Sequence, residues 1–413
     1  MKNTFRLALR GLTRNRRRSL VTLLAIALGF AAIALFAGYT RNVFDGLQRQ
    51  SIYGEMLGHL TLSKTGMRKE GKLDPERYLL TAPEVERITA LLREEAHVDM
   101  VAPRLALSGL MSNGRASTIF IAEAIEPAAM ARFQDNILSE DEIRSGMFNN
   151  QLKQLDPERI EVVELSEGLV DILHLAVGGQ AAVLVNTLAG QANALDITVG
   201  HTFNTGNAGS NDKFAYMPLA LARSLLDAEG RADRLTILLD DAEQTLPMQA
   251  HLLKKLRDAG FDIEIQTWRD LSDFYNQVRG MFDMIFGFIF LIVLTVVIMS
   301  VANSMGMTVV ERTREIGTLR AIGLKRAGVV RLFTTESMLL TLLDCTLGLA
   351  ITVAVRWGIN LANVSYTPPN SASPVPLLIS LDVARVSFTF VLMGVVGTLA
   401  AYLPARRAAK KLI

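Results

Sequence analysis

Residues 311–323, ERTREIGTLRAIG, are wedged between two apolar runs of about Met284–Met305 and Leu332–Trp357. Each run is close to the ~20 residues an α-helix needs to cross a ~30 Å hydrocarbon core. The wedge is too short to fold as a domain, so two membrane helices hold it at one bilayer face. Val309, Ile316, Leu319 and Ile322 mark an apolar side, while Glu311, Arg312, Arg314, Glu315 and Arg320 lie elsewhere around the axis. A helix of about ten residues is roughly 15 Å long, which suits a groove on a partner. A merely solvated loop would not need Ile316 or Ile322. Gly317 permits close backbone approach, and Gly323 permits an abrupt helix end.

Half of the 413 residues are hydrophobic and the net charge is only +2, so the chain reads as a membrane protein and not a nucleic-acid binder. The first eighteen residues hold Lys2, Arg6, Arg10, Arg14, Arg16, Arg17 and Arg18 and no acid. Phe5, Ala8, Leu9 and Leu12 recur at helical spacing opposite Arg6, Arg10 and Arg14, which fits an amphipathic helix lying on anionic lipid. The first apolar run, Ser19–Tyr39, is long for a signal core and is read as a retained span. Four spans follow, at 19–40, 284–305, 333–357 and 386–404.

Lysines and arginines cluster in 1–18, in 306–331 and in the tail 405–413, which puts those segments in the cytoplasm. The 41–283 segment and the 358–385 loop then lie outside. The fold class expected is an α-helical membrane protein with four transmembrane helices plus an α+β extracytoplasmic domain between helices 1 and 2. Within that domain, strands are expected at Gly58–Lys64, Met100–Leu110, Ser117–Ile125, Gln180–Thr187, Leu195–Phe203, Phe214–Met217, Leu235–Leu239 and Phe261–Thr267. Helices are expected at Pro83–Ala96, Glu167–Leu175, 218–227 and 246–259, and a mobile loop at 204–212. A continuous helix is expected from Trp268 through Gly280 into the second span.

Catalytic signatures fail on chemistry. GMRKEGK at 66–72 has phosphate-loop spacing, but Leu73 offers no hydroxyl to Mg²⁺ and the stretch lies outside. LAVGGQ at 175–180 only faintly echoes a transporter-ATPase signature. The five histidines have no metal-ligand spacing, and the single cysteine, Cys345, excludes an intrachain disulfide framework. The chain is therefore expected to be a non-catalytic subunit with no cofactor of its own. Two acids mark the third span. Glu336 is read either as a polar contact within a moving bundle or as a group reaching the interface. Asp344 lies deeper, where a charge costs roughly 2.5–3.5 kcal/mol, and is read as a structural polar contact, with Thr341 a candidate partner.

These elements in order resemble the FtsX/MacB/LolC-type permeases, ABC transporter subunits that work by mechanotransmission. The resemblance rests on NRRRSLVTLLAIALG at 15–29, the 311–323 wedge with Asn303 and Val310, Phe333 with Glu336, and PARRAA at 404–409. GHLTL at 58–62, APRLALSGL at 102–110 and LDITVGHTFNTG at 195–206 are similar to the lipoprotein-release, LolC/LolE-like branch.

The resemblance implies a cytoplasmic ABC ATPase dimer that binds ATP and Mg, each ATPase receiving the wedge as a coupling helix. It implies a second permease copy or paralogue, contact with membrane lipids, and a periplasmic chaperone or adaptor. It also implies a two-lobed Porter-and-Sabre domain with an inserted lobe near 115–210. Cargo would be a lipoprotein or lipid-linked molecule, released on the far side. The alternatives are tripartite efflux of drugs or peptides and regulation of a cell-wall hydrolase. Asp344-Cys345 and a tail stopping at Ile413 depart from the family pattern.

Overall fold

The computed structural model describes residues 16–71, 74–137, 154–205, 209–367 and 375–411. The basic segment carrying Arg6, Arg10 and Arg14 lies outside these residues. The chain divides into two units, 1–45 with 277–366 and 376–413, and 46–276 with 367–375.

The first unit is built from long helices: α1 (Arg16–Arg49), α7 (Asp273–Glu311), α9 (Arg326–Ala362) and α10 (Val383–Lys411). All four are long and apolar enough to cross a membrane. Arg16, Arg17 and Arg18 open α1. Small residues let the helices approach, as is usual where lipid provides no hydrophobic drive between spans. At Gly348 a Cβ would come within 2.7 Å of the Ala27 carbonyl oxygen and 2.9 Å of the Phe30 ring, so only glycine fits. Phe30 meets Phe390 edge-on, and Ile26, Ile33, Val297, Val301, Phe333 and Cys345 complete this apolar cluster. Helix α7 is the outlier. Only 11% of its apolar stretch is covered, and Phe288, Leu291, Ile292 and Met299 stand exposed.

The second unit is organised by strand alternation. Its sheet runs β3-β7-β4-β6-β5-β2-β8-β1-β9, and β3 also pairs with β2. The strands are β1 (Leu60–Lys64), β2 (Val98–Ser112), β3 (Ser117–Ile125), β4 (Val162–Ser166), β5 (Gln180–Asn186), β6 (Ala192–Phe203), β7 (Phe214–Pro218), β8 (Arg234–Leu239) and β9 (Ile263–Thr267). The extra pairing closes six strands, β2 to β7, into a barrel. Its apolar interior includes Met111, Phe120, Val163, Leu165, Val183, Val199 and Met217. The other three strands and the first half of β2 form an open sheet. Helices α2 (Ala82–Arg93) and α6 (Thr245–Asp258) supply Ile88, Leu92, Leu252 and Leu256 to its separate core. The edge strand β9 is partly covered, since Gln249 Nε2 of α6 donates to the Ile265 carbonyl at 2.8 Å.

Strand β2 belongs to both cores. Val98–Arg104 pairs with β8, and Leu105–Ser112 pairs with β3. At the changeover sits Arg104, 1% exposed. It donates to the Met56 carbonyl at 2.9 Å and to Glu123 at 3.0 Å. Arg234 pairs with the same Glu123 and with Asp233, whose carboxylate accepts the Ala106 N–H. Burial works to raise the Glu123 pKa, but Arg234 and Arg104 outweigh it and hold the carboxyl below its usual range.

The structure corrects several expectations. The barrel core draws on residues from Leu79 and Leu105 to Ala228, a wider lobe than 115–210, because β2 and the helix α5 (Leu219–Leu226) close it. Strand β4 and the helix α3 (Pro127–Gln134) are not legible in the sequence, whereas α4 (Glu167–Ile172) lies within the expected Glu167–Leu175. Buried at every position, β4 shows no alternation to read. Of the 204–212 loop expected to be mobile, 206–208 lie outside the described residues; at its ends Asn204 donates to Glu167, the Thr205 N–H to Asn211, and Ser210 to Thr205. The helix expected to run unbroken from Trp268 is interrupted. Thr267 and Asp270 form a capping box around the single turn Trp268–Leu271. Ser272 then leaves helical geometry at ψ 85° and its hydroxyl accepts the Tyr275 N–H, starting α7 afresh.

His59 gives the module a measurable pH response. It is 1% exposed, and its Nδ1 accepts the Leu239 N–H at 3.0 Å. Burial pushes its pKa down to about 4, against the pull of Asp241, Asp240 and Asp99. The folded state thus keeps the ring neutral, and stability complete above the ordinary histidine pKa of ~6.5 is lost as pH falls toward 4. Unfolding of the detergent-solubilised chain, followed by Trp268 fluorescence, is expected to lose about 2 kcal/mol between roughly pH 8 and pH 5. His59→Gln, which accepts the same hydrogen bond without titrating, is expected to flatten most of that slope.

Candidate functional site: the joint between the second and third spans

Helix α7 stops at Glu311, and Arg312 leaves helical geometry at φ −100°, ψ 17°. The chain then enters α8 (Thr313–Ala321), nine residues and so about 13 Å long. The Thr313 hydroxyl turns back to the Val309 and Val310 carbonyls, satisfying acceptors the broken helix would leave open. At the far end Gly323 takes φ +104°, a left-handed conformation that suits glycine, and α9 begins at Arg326. The abrupt end expected at Gly323 is therefore present.

The apolar side expected for docking is divided, which corrects the sequence reading. Ile316 is 2% exposed and belongs to the bundle's own cluster with Val329, Phe333, Ala401 and Ala405. Val309 packs partly against the same cluster. Ile322 by contrast is 79% exposed, and Val310 and Leu324 are exposed as well. Ile316 seats α8 on its own protein, while Ile322 is left uncovered. Glu311, Arg314 and Glu315 are exposed, and Arg320 is half-buried. Leu319 lies in α8, and its side chain is outside the described residues. At Gly317 a Cβ would meet no atom within 4 Å, so this chain leaves that direction open.

The residue that fixes the joint was named in the sequence, but its partner was not. Arg312 Nη1 donates to Glu336 Oε2 at 3.0 Å, and the Glu336 carboxylate is 6% exposed. Glu336 is thereby a contact within the bundle, tying the start of α8 to the third span. Asp344 lies two turns further along α9 and is 5% exposed, in the same buried row as Ser337, Thr341 and Cys345. Thr341 faces Gly397 of α10, and the Ser337 hydroxyl donates to the Gly397 carbonyl at 3.3 Å. The only sequence signal for the Arg312–Glu336 pair is opposite charge on the two sides of a helical turn. Among the described residues no cluster of three His, Cys, Asp or Glu could hold a metal.

A family described as FtsX-like permease C-terminal matches residues 287–413, and one described as MacB-like periplasmic core domain matches residues 19–254. The chain is an ABC transporter permease of the MacB/FtsX family. This permease is 25% identical to the macrolide export ATP-binding/permease protein MacB of Chromobacterium violaceum over 99% of its own length and 60% of the relative's. It is 24% identical to the pyoverdine export ATP-binding/permease protein PvdT of Pseudomonas putida over 96% of its length and 56% of that protein. It thus spans less than two thirds of the curated relatives it matches. Over 31% of each chain it is 33% identical to the ABC transporter permease YtrF of Bacillus subtilis. The crystallised periplasmic region of MacB from Actinobacillus actinomycetemcomitans aligns with a TM-score of 0.34 at 14% identity, covering 52% of the permease and 92% of that region.

The ion pair has a direct test. Arg312→Gln and Glu336→Gln are each expected to cost about 1–3 kcal/mol in detergent-phase thermal unfolding, because each strands a poorly exposed partner. The double substitution is expected to cost about as much as one single change, with a coupling of order 1 kcal/mol. Additive losses would show that the two groups act independently.

Proposed function

We propose that this permease passes the stroke of a separate cytoplasmic ABC ATPase to its periplasmic domain through α8. The observation that carries this reading is the joint itself, a short helix seated by Ile316, pinned through Arg312 to Glu336 of the third span, and presenting Ile322 outward. A push on α8 would reach the third span through an ion pair and the second through one non-helical residue. The names of MacB and PvdT, which combine ATP-binding and permease functions, support an ATPase partner, while this chain matches only part of their length. The bare side of α7 supports pairing with a second permease copy or paralogue, since Phe288, Leu291, Ile292 and Met299 are available to a neighbouring helix. In this reading the chain is not itself an enzyme. Both termini face the cytoplasm of a bacterial inner membrane, with Arg6, Arg10, Arg14, Arg16, Arg17 and Arg18 against its lipid.

For cargo, we infer release of a lipoprotein or other lipid-bearing molecule, from the likeness of 58–62, 102–110 and 195–206 to the lipoprotein-release branch. A second reading, export of a small molecule through a periplasmic adaptor, draws support from relatives named as macrolide and pyoverdine exporters. An acylated polypeptide retained by the purified complex would favour the first, and a stoichiometric adaptor the second.

The coupling role predicts uncoupling without misfolding. Gly317→Trp adds bulk at a position whose Cβ direction is open, and Glu315→Ala and Arg320→Ala alter exposed or half-exposed charge. In a reconstituted complex with the co-purifying ATPase, at least Gly317→Trp is expected to lower permease-stimulated ATP hydrolysis about tenfold, a coupling loss of ~1.4 kcal/mol. Wild-type ATPase binding and stimulation in all three variants would count against α8 as the contact.

A further inference from the structure

At the end of the helical unit away from α8, residues 377–382 form a strap across three helices. The Leu377 N–H reaches the Val364 carbonyl at 2.7 Å, and the Ser380 N–H reaches the Gly38 carbonyl of α1 at 3.2 Å. Asn360 of α9 brackets Ile379, accepting its N–H at 3.0 Å and donating to its carbonyl at 3.2 Å. Asp382 receives Arg41 of α1 at 3.0 Å and Arg385 of α10 at 3.3 Å. Arg41 is also within 3.5 Å of Asp45. Four of the charges at this end therefore neutralise one another.

Arg356 is the exception. Its Nε donates to the Ile379 carbonyl at 2.9 Å, which fixes the plane of the guanidinium. Its two terminal nitrogens have no acid partner among the described residues. Arg356 lies six residues before the end of α9 at Ala362, about 9 Å along the axis. Beside it Val353, Trp357 and Leu361 stand 44%, 68% and 68% exposed, one apolar stripe with a tryptophan at the level where such rings mark the membrane–water boundary. The headgroup layer adds only roughly 5–8 Å to each side of the hydrocarbon core. An unpaired, half-buried cation at that depth is withdrawn from bulk water, and the abundant anion there is a lipid phosphodiester. Arginine's fork of paired donors matches phosphate oxygens two at a time.

We propose that Arg356 forms a binding site for the phosphate of a lipid headgroup, oriented by the strap carbonyl and backed by the exposed face of Trp357. The site serves the leaflet opposite α8 and does not depend on the ATPase or the cargo. Native mass spectrometry of the full chain in detergent tests it, using phosphatidylglycerol, diacylglycerol of the same acyl chains, and inorganic phosphate as probes. Beyond the lipid held by the basic amino-terminal segment, the wild type is expected to retain one further phosphatidylglycerol about fivefold over diacylglycerol, and Arg356→Gln to lose that one. Arg356→Lys keeps a charge without the fork and is expected to retain about half of the preference. Arg385→Gln removes another cation at the same end without touching Ile379, and is expected to bind as the wild type does. Equal retention by Arg356→Gln would overturn the site, as would equal loss in Arg385→Gln, which would make the effect one of net charge at that end. Displacement of the lipid by millimolar phosphate would overturn the lipid assignment in favour of a free anion, and failure to displace it supports the headgroup.

Discussion

The periplasmic module depends on a guanidinium taken out of water where one strand passes between two cores. A buried arginine carries a desolvation penalty of several kcal/mol, which only well-placed acceptors offset. Arg104 has Glu123 from β3 and the Met56 carbonyl from the entering chain, so one side chain joins the barrel, the open sheet's long strand and the lead from α1. Arg234 and Asp233 of the neighbouring segment bring in the second pair of charges. A hydrocarbon side chain could fill the same space, but it would not specify that β2 must change partners between Arg104 and Leu105.

The same economy of contacts marks the two ends of the module. Ser51, in the π-helical turn Gln50–Gly54 after α1, and Ser272, before α7, join through their hydroxyls at 2.9 Å. Trp268 stacks edge-on against Tyr275 close by, with ring centroids 4.8 Å apart. Both connections to the spans thus begin from one clasped place. In the helical unit the Arg312–Glu336 pair has a comparable role, with one charge on each side of a turn. Each device is a polar contact between segments far apart in sequence, set among apolar residues that fix only proximity.

What could be read from the sequence follows from this division. The spans declare themselves because hydrocarbon tolerates few charges, and the alternating strands β3 and β5 because one face of each is wet. Ser117–Ile125 was placed to the residue. Strand β4 was not legible because every residue is buried, Glu164 and Ser166 included, and a buried glutamate looks like surface in a list of letters. Barrel closure was hidden because it depends on β2 being long enough to serve two sheets. At the joint, helical spacing located α8 but could not say which of two isoleucines faces inward. That choice depends on where Phe333 and Ala401 arrive from other helices.

Closure of the barrel has a consequence for life outside the cytoplasm. A sheet that meets itself offers no free rim for a neighbouring molecule to zip onto, and rims are where β-rich chains begin to clump. Within the nine-stranded sheet β9 is left with an open side, and Gln249 already occupies one of its carbonyls. With its single cysteine inside the membrane bundle, the module has no disulfide to protect it during passage through an unfolded state. Geometry takes over that duty, and the nascent domain is most vulnerable to aggregation in the interval before β7, the last barrel strand in the chain, reaches β3.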